Sequence, residues 1–313
     1  MNFVIESLLP AGRSAVELSL FVLLPVMVVM LTVMRLAEAW GWLDRFVAVA
    51  TPLLRPFGLT GLGVFAAVQV NFVSFAAPVA TLAMMERRGA SDRHLAATFA
   101  MVLAMAQANV VFPLLAMGLD FGPTMALSLT GGLLAAAVAY HLAGRKLSNA
   151  EPLNEEPPPH APHGDGPKGV LDVINRAGAE AFKIAIGAMP LLILSLVVVN
   201  MLRAAGAVDA LALALDPALS AFDIDPVMIL PTVTKYLAGG TAMMGLADVM
   251  ARTGEMSAQL LNASAGFLIH PLDLPGVAVL MAAGPRVAAV WRPAVAGALA
   301  GVALRAFGHA MMY

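Results

Sequence analysis

Long apolar runs separated by short polar breaks dominate this chain. Residues 18–36, 95–119, 125–143, 184–202 and 287–307 are predominantly apolar, and each run is long enough for an α-helix to cross a hydrocarbon core of about 30 Å. Residues 43–57 and 208–222 are shorter and amphipathic, the first interrupted by Pro52 and ended by Pro56 and Gly58; such segments lie along a membrane surface. Two further segments, 61–85 and 225–246, are apolar overall but broken near the middle. Gln69, Asn71, Ser74 and Pro78 interrupt the first; Pro231, Thr232, Thr234, Lys235, Gly239, Gly240 and Thr241 interrupt the second. Proline and glycine at such positions predict a kinked span or a re-entrant hairpin.

The pattern occurs twice. Shifting the chain by 165 positions places Pro25 on Pro190, Leu31 on Leu196, Asp44 on Asp209, Pro52 on Pro217, Phe57 on Phe222, Arg87 on Arg252, Gly89 on Gly254 and Leu95 on Leu260, without a gap. The chain therefore reads as a first repeat over 1–144, a linker over 145–170 and a second repeat over 171–313. The linker contains EPLNEEPPPHAPHGDGPKG, whose proline, glycine and charge content cannot bury a core. His160 and His163 within it read as solvated side chains.

Charge distribution orients the repeats. Arg35, Arg45, Arg55, Arg87, Arg88 and Arg93 flank the apolar segments of the first repeat, whereas the matching stretches of the second carry Arg203 and Arg252 among Asp209, Asp216, Asp223, Asp225, Asp248 and Glu255. The final loop reverses this, with Asp120 in the first repeat and Arg286 and Arg292 in the second. Because basic residues collect on the cytoplasmic side, matching positions face opposite ways and the repeats are inverted. An odd number of crossings per repeat satisfies that if the broken segments are re-entrant. The expected architecture is an all-α polytopic membrane protein with inverted repeats, each holding three spanning helices, an interfacial helix and a re-entrant hairpin. The linker is expected in the cytoplasm of a cytoplasmic-membrane protein, with both termini outside.

Composition agrees: 60% hydrophobic residues, 12% charged residues and a mean hydropathy of +0.85 lie outside the range of a soluble domain. A net charge of −2 without a basic stripe gives no reason to expect a nucleic-acid partner. The absence of cysteine excludes disulfides, thiolate metal sites and cysteine nucleophiles. There is no HExxH or GxSxG arrangement, and the GLTGLG run at 58–63 precedes no Walker lysine, so neither an enzyme nor an ATP-driven pump is expected.

Backbone that is not helical at membrane depth must be packed in protein or line a watery cavity. The broken segments therefore face inward, and the spans that follow them are also interrupted. LAMAQANVVFPLL carries Gln107, Asn109 and Pro113; FLIHPLDLPG carries His270, Pro271, Asp273 and Pro275. Two tips and two interrupted helices converging near the midplane would present amides, hydroxyls and half-helix ends to a solute. Lys235 is the sharpest residue, since a lone cation there costs about 2.5 to 3.5 kcal/mol on insertion scales. It reads either as a ligand for an anionic group, or a built-in cation in the place of a coupling ion, or as a side chain that snorkels to the interface or pairs with Asp273 or another buried carboxylate. Its repeat-mate is Val70, so the hairpins differ. His270 and Asp273, three apart, read either as a proton-responsive pair on one helical face or as a proline-turned loop near water. Gln69, Asn71, Gln107 and Asn109 suit a sugar hydroxyl or a base edge, and amides of this kind also bridge helices.

The segments PTVTKYLAGGTAMMGL, PLLRPFGL and DPALSAFDIDP resemble the nucleoside-recognition, or Gate, domain proteins, which include the spore maturation proteins A and B, with related domains in concentrative nucleoside transporters and ferrous iron transport protein B. The resemblance covers both repeats, as though an A-type and a B-type half were fused. It implies a Gate-type fold with two re-entrant hairpins. It also implies solute contacts at Gln69, Asn71, Ser74, Thr234, Lys235 and Thr241 on the hairpins, and at Gln107, Asn109, His270 and Asp273 on the interrupted helices. The chain departs from the family in lacking the acidic and amide pattern for nucleosides, and in placing a lysine in a hairpin. The function expected is secondary transport of a small polar solute, anionic or nucleoside-like, with a proton or sodium ion as candidate coupling ion, no other cofactor and no metal site. A homo-oligomer in the bilayer is the expected assembly. A Gate-type pore for ions or metals and a membrane scaffold are the alternatives.

Overall fold

The computed structural model describes residues 2–150, 169–207, 210, 213, 214 and 225–313. The described residues are all helical or irregular, with no strand among them. The linker histidines and nearly all of the second amphipathic segment lie outside the described residues.

Each repeat opens on a helix longer than its apolar run. Helices α1 (Asn2–Glu17) and α2 (Leu24–Ala39), joined by a π-helical stretch at Leu18–Leu23, form one rod; its counterpart is α9 (Val170–Ala204). The membrane-capable part of the first rod is Leu8–Ala39, 32 residues. At 1.5 Å per residue that is about 48 Å, so the rod must tilt to fit a bilayer. The helix thus extends beyond the apolar run that begins at residue 18: Arg13 and Glu17 pair across one turn at 2.8 Å and carry it outward through polar sequence.

After α2 the chain turns at Gly41 (φ +70°) into α3 (Trp42–Leu54). Leu43 and Val47 of α3 pack inward, while Trp42, Phe46, Val49 and Leu53 stay exposed. This apolar outer face suits the headgroup boundary. The segment Trp42–Phe57 then bends by 104° into α4 (Gly61–Phe72), which starts at the Thr60 cap. Residues 73–77 reverse the chain into α5 (Pro78–Arg87), and the Thr81 hydroxyl donates to Gln69 across the hairpin at 2.7 Å.

Ser91 caps α6 (Asp92–Ala104), which breaks at Met105–Gln107 before α7 (Ala108–Leu115). Helix α8 (Phe121–Ala137) follows and ends in a π-helical turn, Val138–Ala143. The second repeat restates this order. Asp225 caps a short 3-10 turn leading to α10 (Ile229–Ala238); Gly239 reverses the chain into α11 (Gly240–Thr253). Ser257 caps α12 (Ala258–Leu268), which breaks before α13 (Leu274–Met281); α14 (Pro285–Ala289) and α15 (Trp291–Met312) complete the chain. Thr60 and Asp225 are separated by the repeat shift itself, so the duplication extends to the caps.

Matching helices cross antiparallel. Arg35 near the end of α2 bonds Glu180 near the start of α9, at 2.9 Å, whereas Pro10 and Ala11 of α1 share a crevice with Leu196 and Asn200 near the end of α9. Likewise α8 meets α15 with Gly131 against Gly301, Ala135 against Gly297 and Leu127 against Gly308. A Cβ on Gly131 or Gly301 would press into the other's carbonyl oxygen, so both must be glycine for the helices to touch. Inverted repeats are built this way.

Among the described residues five spans are long and apolar enough to cross a membrane: Leu8–Ala39, Asp92–Leu115 with its internal break, Phe121–Ala143, Val170–Leu202 and Trp291–Met312. The interrupted pair α12 and α13 is the repeat-mate of 92–115. The apolar 18-residue stretch of the 92–115 span is wholly buried, against 21 to 33% of the matching stretch in the others, so it is the axis around which the rest pack.

Candidate functional site

The four breaks meet. Ser74, Phe75 and Ala76 of the first hairpin tip, Ala238 to Thr241 of the second, Gln107 and Asn109 after one interrupted helix and Asp273 and Pro275 after the other line a cavity of about 230 Å³. Leu23, Ile184 and Gly187 of the two long rods close its side. Its volume exceeds the ~150 Å³ of an engineered cavity that takes up benzene, so a small organic solute fits.

The local sequence explains this convergence. Gly239 sits at φ +92°, a conformation costly for any residue with a Cβ, and it allows a one-residue reversal between α10 and α11. In the first hairpin the reversal takes five residues and ends on Pro78 at the first position of α5, where a missing N–H costs nothing. Asp273 caps α13 by accepting from the Gly276 amide at 2.7 Å. The starts of α5, α7, α11 and α13, each at least eight residues long, all lie at the cavity.

Asn109 ties the tips together: its carbonyl oxygen accepts from the Phe75 amide at 3.4 Å and its NH2 donates to the Thr241 hydroxyl at 3.2 Å. Gln107 is 2% exposed, lines the cavity, and its Nε2 has no hydrogen-bond partner. The Gln107 carboxamide lies where a Cβ on Gly240 would be, so Gly240 is what admits it. Thr241 accepts from Asn109 and keeps its own hydroxyl proton for another acceptor.

Of the residues expected at the site, Ser74, Gln107, Asn109, Thr241 and Asp273 line the cavity and the other five do not. Gln69 is bound to Thr81 within its own hairpin. Asn71 donates to the Ala67 carbonyl at 2.8 Å and to the Met105 sulfur at 3.2 Å, and accepts from Ser128, whose oxygen in turn accepts from the Ala106 amide. This relay fixes the first break to α8. Thr234 is buried in α10, away from the cavity.

Lys235 is fully buried and paired with Asp273, the reading in which the lysine is bolted within the protein. Its ammonium also lies 5.4 Å from the Tyr236 ring centroid. His270 and Asp273 fit neither expectation. Residues 269–273 are not helical, so they share no helical face, and both side chains are buried, so they are not near bulk water. The His270 Nδ1 accepts from the Leu272 amide at 3.1 Å, which makes that nitrogen an unprotonated acceptor.

Arg305 was not anticipated. It is 0% exposed in the middle of α15, and its guanidinium donates to the Ala104 carbonyl at 2.5 Å and to the Ile269 carbonyl at 2.8 Å, with Nε unpartnered. Those carbonyls end α6 and α12, one in each repeat, immediately before the breaks. A cation at two helix C-termini opposes both dipoles. Its stem packs on Gly131, where a Cβ would collide with it. The repeat-mate, Tyr140, lies elsewhere, bonded to Asn149 at 2.9 Å.

Residues 20–122 match the family model described as Gate: Nucleoside recognition. No curated protein matches the chain. Among solved structures, CNTnw, a concentrative nucleoside transporter, is similar over nearly the whole chain. A double variant of CNTnw in an outward-facing state is 17% identical with a TM-score of 0.68, covering 99% of this chain and 85% of the other. CNTnw in an inward-facing substrate-bound state is 17% identical with a TM-score of 0.66, covering 98% and 83%, and a variant in an intermediate state is 17% identical with a TM-score of 0.65, covering 93% and 77%. The fold is that of CNTnw. This chain is a polytopic membrane protein with that architecture, and one Gate-type match falls on its first repeat.

Proposed function

We propose that the chain is a secondary membrane transporter, not an enzyme, which moves a small polar solute by alternating access at the interface of its inverted repeats. The cavity carries the reading. It is formed equally by both hairpin tips and both interrupted helices, and it holds a buried Gln107 donor that nothing in the protein satisfies. An unsatisfied buried donor costs about 1 to 3 kcal/mol unless a ligand completes it. The likeness to CNTnw in outward-facing, intermediate and inward-facing states supports a fold able to open on either side.

Orientation follows from the same inversion. The Tyr313 hydroxyl donates to Asp120 at 2.6 Å, so the C-terminus lies with the start of α8. His141, at the far end of α8, contacts the Pro56 carbonyl at 2.7 Å. The linker therefore leaves from the face opposite the C-terminus, and the basic residues around it support a cytoplasmic placement of that face.

Reconstituted uptake tests the transport reading, using a panel of small solutes with and without proton and sodium gradients. Saturable uptake that is lost on Gln107→Leu is expected. Non-saturating ion conductance would instead identify a Gate-type pore. The chain has no cysteine, so single cysteines at Ala150 and Tyr313 report sidedness directly: labelling of the two from opposite faces is expected, and labelling from one face refutes the orientation.

A further inference from the structure

The wholly or nearly buried charged side chains among the described residues are Lys235, Asp273 and Arg305. All three lie at the breaks. Lys235 and Asp273 cancel each other. Arg305 has no carboxylate partner; it is held by two carbonyls at helix C-termini. Arg305 occupies the negative ends of α6 and α12; at the cavity the positive ends of α5, α7, α11 and α13 then outnumber the negative ends that the hairpins bring there, those of α4 and α10. The net helix-end dipole at the cavity and the net charge buried behind it therefore have the same sign.

We propose that this cavity selects a solute bearing one net negative charge, its oxyanion or carboxylate placed at the start of α11 against the Gln107 Nε2 and the Thr241 hydroxyl. The proposal deepens the transporter reading and rests on the same cavity. Helix starts alone would not make a site. The second observation is Gln107, a donor 2% exposed, unpartnered, and admitted over the start of α11 by the missing side chain of Gly240. Asp273 also lines the cavity, but its carboxylate is taken by Lys235 and by the Gly276 amide, so it does not oppose an anion as a free carboxylate would. In a low-dielectric interior an unbalanced charge is costly, and an anionic solute supplies the missing balance.

Charge arithmetic makes the idea testable in the full-length purified chain. Matched pairs of nearly equal size, benzoate with benzamide and nicotinate with nicotinamide, serve as probes, with binding read as a ligand-dependent rise in melting temperature. The carboxylate is expected to bind at least about tenfold more tightly than its amide, the scale of one charge interaction across a few ångströms of protein. Lys235→Met removes one cation, brings the buried count to zero and abolishes the preference. The double variant Lys235→Met with Asp273→Asn restores the count, avoids an unpaired buried charge and keeps the preference, so the test survives if the single variant does not fold. Amides binding as well as carboxylates, no carboxylate binding at all, or a double variant that loses its preference would each overturn the proposal. Uptake in proteoliposomes separates the two readings: anion binding without uptake removes the transport function and leaves the charge assignment, while uptake of the amides alone does the reverse.

Discussion

The two hairpins share one backbone plan and are locked by opposite kinds of chemistry. The first is held by neutral groups: Gln69 with Thr81, and Asn71 with Ser128 and Met105. The second is held by an ion pair, Lys235 with Asp273, in a position where the first has Val70 and Ala108. Duplication has thus preserved what sets the fold, the apolar register and the caps, while the electrostatics diverged. The charged hardware sits on one side only, since Arg305 also belongs to the second repeat and its mate Tyr140 does another job. A transporter of inverted repeats needs equivalent backbones to exchange shapes; it does not need equivalent charges.

Removing one partner from each lock should separate them most. Asp273→Ala strands a fully buried ammonium and removes the cap of α13, and the expected loss is about 3 to 5 kcal/mol. Asn71→Ala strands only the neutral Ser128 and Met105 contacts, with an expected loss of about 1 to 3 kcal/mol. Thermal or denaturant unfolding in detergent gives both numbers. Equal losses would mean that the ion pair contributes no more than an amide relay.

A smaller contrast is available at glycine. Gly240→Ala puts a methyl group into the Gln107 carboxamide, which must leave the cavity, so solute binding falls even if the fold holds. Gly178 in α9 has open space around it, so Gly178→Ala should stabilise the helix by about 0.5 to 1 kcal/mol and leave binding alone. Binding titrations on the two variants distinguish a cavity glycine from a merely helical one.

Much of this is legible in the sequence. Periodicity and the repeat located the helices, proline and glycine located the breaks, and charge asymmetry gave the inversion, because each is a local signal carried by residue type. Ser74, Gln107, Asn109, Thr241 and Asp273 were found by a single rule, polar residues beside a break at membrane depth. The same rule over-reached at Gln69, Asn71 and Thr234, because one turn along a helix moves a side chain from cavity to core and spacing alone does not say which. Lys235 was noticed as costly, but its partner is 38 residues away on another helix, a tertiary fact. Arg305 is the instructive miss. The principle that singles out Lys235 applies equally to an arginine inside an apolar helix, but loop charge, the signal that orients the repeats, does not register it.

The mildest test concerns the loops that seat each repeat on the other. The loop before α8 docks on α12 through Asn262, which accepts from the Asp120 amide at 2.8 Å and donates to the Gly118 carbonyl at 2.8 Å, with the side chain 3% exposed. The short helix α14 before α15 docks on the start of α6 through Arg286, which bonds Asp92 at 2.6 Å and the Ala90 carbonyl at 2.8 Å, while Glu86 accepts from the Arg286 and Val287 amides. Here the charged version serves the end of the molecule where the neutral hairpin lies. The side chains of Arg286 and Asp92 are 40% and 32% exposed, so solvent and salt screen the pair. Asp92→Asn should therefore cost less than about 1 kcal/mol, and the cost should shrink in high salt. Asn262→Ala removes two neutral, part-buried hydrogen bonds and should cost about 0.5 to 1.5 kcal/mol for each, at any ionic strength. Melting temperatures of both variants at low and high salt decide the point. A salt-insensitive loss at Asp92 would show that this end is locked as firmly as the buried pair, and the division into one neutral and one charged lock would fail.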